Sequence, residues 1–144
     1  WLFIHIGFGK VFLGAVLVAV GLAGVVLIRD TAWGANRFQR LPPDERLNEL
    51  GYRCMALGFI FETLMLIAGA IWAQDAWGRY WAWDPLETWA FVTWLTLGFA
   101  LHARATFNLT PRASAGLVIA VFVIAFLTFF GVPFVSTSPH KGAV

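Results

Sequence analysis

The sequence predicts an all-α integral membrane protein, four transmembrane helices with a Trp-rich outer loop between helices 2 and 3. Three observations carry this fold class. Hydrophobic residues make up 60% of the 144 and charged residues only 12%, with a mean hydropathy of +0.75, too little polar surface to cover an aqueous exterior. Four apolar runs, at 3–28, 52–73, 85–103 and 113–134, approach the roughly 20 residues that span a bilayer as a helix. Arginines, finally, collect in alternate links. With no internal repeat or low-complexity tract, residues 1–144 read as a single membrane domain.

Helix 1 begins directly after Trp1, so the chain reads as part of a longer polypeptide with a segment upstream. The link that follows carries Arg29, Arg37, Arg40, Arg46 and Arg53, and the link between helices 3 and 4 carries Arg104 and Arg112. The positive-inside rule places both links in the cytoplasm and sends both termini and the Trp-rich loop to the outer face. Pro42-Pro43 breaks any helix in the long inner link, after which "DERLNEL" reads as one or two amphipathic turns at the membrane surface. In helix 2, Cys54 is the only cysteine; it excludes an internal disulfide and a paired-thiol motif and reads as a small apolar filler. The net charge of +2 comes from loop arginines without forming a basic patch, which excludes nucleic acid as a partner.

The outer loop contains "AWGRYWAWDPLET", residues 76–88. Asp84 precedes a proline and leaves the helical region, Pro85 suits the first helical position, and Glu87 falls third. The pair reads as an N-cap and the returning half of a capping box, beside the alternative of a direct chemical role. An isolated Trp1, Trp33 or Trp72 fits an interfacial aromatic belt. The density of rings from Trp77 through Tyr80, Trp81, Trp83 and Trp89 to Trp94 exceeds a belt. In an extended segment Trp81 and Trp83 point the same way and form a flat wall able to stack on a flat ligand.

His5 and His140 share the outer face with that loop. Two neutral imidazoles beside an aromatic wall suit the two axial positions of a haem iron; the plainer reading is a pair of interfacial polar residues. His102 lies 17 residues after Pro85, about 26 Å along the helix, and cannot share that iron. Taken alone, it reads as a favourable donor or cation at a helix C-terminus. Lys10 and Glu62 fall inside apolar spans at similar depth and are expected to form an ion pair joining helices 1 and 2; the alternatives are propionate binding or proton movement.

The stretch "AWGRYWAWDPLETWAFVTWLTLGFALHAR" resembles the tryptophan-rich WWD signature of the haem-handling proteins of cytochrome c maturation, System II branch (CcsA/ResC type). "WLFIHIGF" is similar to the family's helix bearing the first outer histidine, and "LNELGYRCMALGFIFETLMLIAGAIWA" to the helix leading into the signature. The resemblance implies that His5 and His140 are the outer axial ligands of haem b. It implies that the segment with Trp77, Tyr80, Trp81, Trp83, Asp84 and Trp89 holds the porphyrin, and that His102 is one of two membrane histidines holding haem on its way outward. The implied function is haem presentation for covalent attachment to apocytochrome c, as part of a holocytochrome c synthase (haem lyase) assembly. The implied partners are upstream helices or a companion System II subunit, in a bacterial inner or thylakoid membrane. A rival from another class is a non-catalytic haem-binding or structural subunit of a respiratory or photosynthetic complex.

Overall fold

The computed structural model describes residues 1–135 and is helical throughout its regular structure. Helix α1 (Leu2–Ile28) is followed by a short α2 (Ala32–Arg37), a long α3 (Asp44–Trp77), α4 (Pro85–Thr106) and α5 (Pro111–Phe126). The last continues through a π-helical turn at Leu127–Gly131 into α6 (Val132–Val135).

Three of these, Leu2–Ile28, Asp44–Trp77 and Pro111–Val135, are long and apolar enough to cross a membrane. The 22 residues of α4 rise about 33 Å, sufficient in length, but with Glu87, His102 and Arg104 among them the helix is not one of the three apolar enough to cross. The structure therefore gives an all-α membrane architecture with three such helices among the described residues, where the sequence predicts four.

Buried positions recur every three or four residues. On α1 they are Gly9, Phe12, Val16, Ala19, Ala23 and Val26; on α3 they include Gly51, Met55, Gly58, Glu62 and Met65. This 3.6-residue stripe seats α1 against α3, while Leu97, Val121 and Ala125 close the core from α4 and α5. Large apolar side chains such as Phe3, Leu17 and Phe99 point outward, as suits a lipid-facing surface.

"DERLNEL" is no separate surface element. It forms the first turns of α3, a single helix of 34 residues and about 51 Å, longer than the roughly 30 Å apolar layer of a bilayer. Its projecting end is tied to both arginine-bearing links. Arg29 donates to Asp44 at 2.7 Å and to the carbonyl of Pro42 at 2.7 Å. Arg104 donates to Glu49 at 3.1 Å while its guanidinium lies 4.7 Å over the Tyr52 ring. Arg112 pairs with Asp30. Both links thus meet at one end of the bundle, and the Trp-rich loop lies at the other.

Candidate functional site

The His5 imidazole lies on α1 one turn from Trp1, partly buried against α3. Its Nδ1 is 2.8 Å from the carbonyl oxygen of Met65. A carbonyl only accepts, so Nδ1 carries the proton and, in the neutral ring, Nε2 carries the lone pair. A backbone acceptor behind one ring nitrogen is the arrangement that orients metal-ligating histidines. Gly69 makes the approach possible, since a β-carbon there would fall 2.8 Å from Nδ1 of His5.

Across the loop, α3 stops at Gly78, whose φ of 72° is the left-handed cap that glycine favours. Trp83 also lies in the left-handed region, with φ 57°, an uncommon conformation for a bulky side chain. The first turn of α4 holds it there. The Glu87 carboxylate accepts from the backbone N–H of Ala82 at 2.7 Å and of Asp84 at 3.4 Å, on either side of Trp83. Asp84 in turn accepts from the N–H of Glu87 at 2.9 Å, and the Thr88 hydroxyl donates to the Trp83 carbonyl at 3.3 Å. The capping box is formed as the sequence predicts, and Glu87 also clamps the backbone of the loop.

This geometry corrects the expected flat wall. Because Trp83 is left-handed, the segment is not extended, and Trp81 and Trp83 stand edge to face at 85° with ring centroids 5.7 Å apart. Trp81 meets Phe91 edge to face, Phe91 stacks on Trp94, and Trp94 stacks on Phe59, so a column of rings descends from the loop into the bundle. Trp94 Nε1 anchors it by donating to the Thr63 hydroxyl at 2.9 Å. Trp81 Nε1 is buried and, among the described residues, has no acceptor. Tyr80 and Trp83 are exposed at 61% and 68%, Trp89 is exposed on α4, and Trp77 packs edge to face on Trp72.

His102 stands apart from His5. It is exposed near the end of α4, its Nε2 3.4 Å from the Thr106 hydroxyl. His140 lies outside the described residues.

The Lys10–Glu62 ion pair is not formed. Lys10 is exposed on α1, whereas Glu62 is fully buried with both carboxyl oxygens lacking a partner among the described residues. The two share a depth but not a face: Lys10 sits one position past Gly9 and leaves the α1 stripe, and Glu62 falls on that of α3.

The donor set suits a planar ligand with a metal centre and acidic edges. His5 offers an oriented imidazole, Trp81 a buried N–H awaiting an acceptor, and the exposed rings apolar faces. These groups lie toward one end of a helical membrane bundle. The chain belongs to the family described as cytochrome C assembly protein, which it matches over residues 1–140. It is 40% identical over 132 residues to the cytochrome c biogenesis protein CcsA of Gloeobacter violaceus, covering 89% of this chain and 39% of that protein. With CcsA of Atropa belladonna the identity is 38% over 120 residues, covering 83% of this chain and 38% of the relative. With CcsA of Trichormus variabilis it is 44% over 103 residues, 72% and 29%. The chain thus spans well under half the length of these relatives.

Gly69 and the clamping role of Glu87 were not anticipated from sequence. The signal for the first is a small residue at the spacing of the buried stripe on α3, opposite a histidine.

Proposed function

We propose that this chain is the haem-presenting part of a System II cytochrome c maturation protein, holding haem b at the outer membrane face for attachment to apocytochrome c. The observation that carries the reading is the 2.8 Å hydrogen bond from His5 Nδ1–H to the Met65 carbonyl, which leaves Nε2 as the ligating nitrogen.

In this reading α4 is a fourth crossing, and the arginine-bearing end faces the cytoplasm of a bacterial cell or the corresponding side of a thylakoid membrane. His5 and His140 would hold the haem iron and would keep oxygen from it. Trp81 Nε1 would donate to a propionate, and the rings of Trp77, Tyr80, Trp83 and Trp89 would offer apolar faces to the porphyrin. Asp84 and Glu87 act through the backbone, fixing where Trp83 stands. Bound haem supplies the vinyl groups that become thioethers with the two thiols of a Cys-x-x-Cys-His segment. The protein's part is positioning and exclusion of side reactions. His102, at the opposite end, belongs to a second haem position completed by helices outside this chain or by a companion subunit.

The test is an absorption spectrum of the purified protein with and without dithionite. A low-spin b-type spectrum is expected, lost or weakened in His5→Ala and His140→Ala and partly restored by imidazole. His102→Ala leaves it intact. Unaltered low-spin bands in both outer-histidine variants would refute the assignment.

A further inference from the structure

Glu62 is the one fully buried charged side chain among the described residues, and neither of its oxygens has a partner there. An unpaired carboxylate in this position is costly, and an ionisable group retained inside a membrane bundle points to function. Its place in the bundle suggests which.

Glu62 lies on the α3 stripe that faces α1, three residues before Met65, whose carbonyl holds His5, and seven before Gly69, against which the His5 ring rests. That is about 4.5 Å and 10 Å of helical rise. The adjoining Thr63 is hydrogen-bonded to Trp94 on α4, which sets Glu62 at a depth comparable with Thr93. Thr93 is also fully buried, its hydroxyl 2.8 Å from that of Thr128 and 2.8 Å from the carbonyl of Trp89. Both hydroxyls bond the carbonyl of Trp89, one turn into α4 from its start at Pro85.

The ionisable groups on the surrounding elements are few. On α1 they are His5 and the outward-pointing Lys10; on α4, Glu87 in its first turn, with His102 and Arg104 at the far end; on α5, Arg112, also at the far end. None pairs with Glu62.

We propose that Glu62 is a proton-exchanging group coupled to the haem position at His5. Its carboxylic acid releases a proton to the outer face as the iron there passes from ferrous to ferric, and takes one back on reduction. The step balances: ferrous iron and the acid become ferric iron, a carboxylate and a released proton, and the electron passes to an external one-electron oxidant. The charge inside the bundle is unchanged, which is what a poorly solvated interior favours. The inference rests on the haem reading above.

The experiment is a potentiometric titration of the haem-loaded protein across pH, combined with redox-difference infrared spectra. In the wild-type protein the midpoint potential is expected to fall with rising pH where Glu62 exchanges its proton. Its steepest slope approaches a tenfold shift per pH unit, about 59 mV for one electron. A carboxylic-acid carbonyl band should change with redox state. Glu62→Gln should remove both signals while keeping the low-spin spectrum, and Glu62→Asp should retain them. A Gln variant with the wild-type slope and infrared change would overturn the proposal. Absence of bound haem, or low-spin bands unmoved in His5→Ala, would overturn the haem reading itself, and the proposal with it.

Discussion

The ring of His5 occupies the space a side chain at residue 69 would take: a β-carbon on Gly69 would fall 2.8 Å from Nδ1 and 2.9 Å from Cε1. Gly69→Ala therefore has a specific target. The imidazole must swing away and give up the Met65 carbonyl, a loss of about 1 kcal/mol in stability. The expected result is a folded protein whose low-spin haem spectrum is weakened much as in His5→Ala. Gly14→Ala, where no atom lies within 4 Å of a built β-carbon, serves as the control.

At the loop, capping and clamping separate by substitution. Asp84→Asn should be nearly silent because Asn caps about as well, and Asp84→Ala should cost about 1 kcal/mol. Glu87→Ala should cost more, roughly 1–2 kcal/mol, because it strips the acceptor from the part-buried N–H groups of Ala82 and Asp84 together. It should also release Trp83 from its left-handed conformation. Amide hydrogen exchange over residues 81–88 reads this directly, with faster exchange expected in Glu87→Ala than in Asp84→Ala.

Trp81→Phe should act with opposite signs in the empty and loaded protein. Removing a buried N–H that lacks an acceptor should raise the stability of the empty protein by about 1 kcal/mol. If that N–H grips a propionate, its loss should speed haem dissociation roughly ten- to a hundredfold, since a hydrogen bond to a charged group is worth about 1.5–3 kcal/mol. Thermal unfolding without haem and transfer of haem to an apoglobin measure the two arms.

Topology follows from the ion pairs that gather both arginine-bearing links at one end. A reporter placed near Pro42 should be cytoplasmic, and one near Gly78 should be exposed on the opposite side. Finding both on one side would separate the Trp-rich loop from the face assigned to it.

Where the physics was local, the sequence was readable. The cap at Asp84 and Glu87 depends on residues three apart and is fully formed. The apolar runs depend on composition alone. Rotational phase and backbone sign were harder. Lys10 and Glu62 were read at the right depth, but one residue turns a helix by about 100°, and that separates Lys10 from the stripe beginning at Gly9. The left-handed backbone at Trp83 depends on bonds from Glu87 and Thr88 folding back over the loop, so an extended strand of rings was the natural expectation. The early start of α3 was hidden because its first turns are polar and draw their partners from Arg29 and Arg104.

The π-helical turn at Leu127–Gly131 has a consequence for insertions and deletions. The N–H of Val132 reaches back five residues to the carbonyl of Leu127, one more than in an ordinary α turn. Because the wide turn absorbs one extra residue, deleting a single residue within it would close it into regular α-helix with little rotation of α6, whereas inserting another would turn α6 by about 100° relative to Thr128, which is held to Thr93. The end of the bundle formed by α6 thus tolerates the loss of one residue from the turn better than the gain of another.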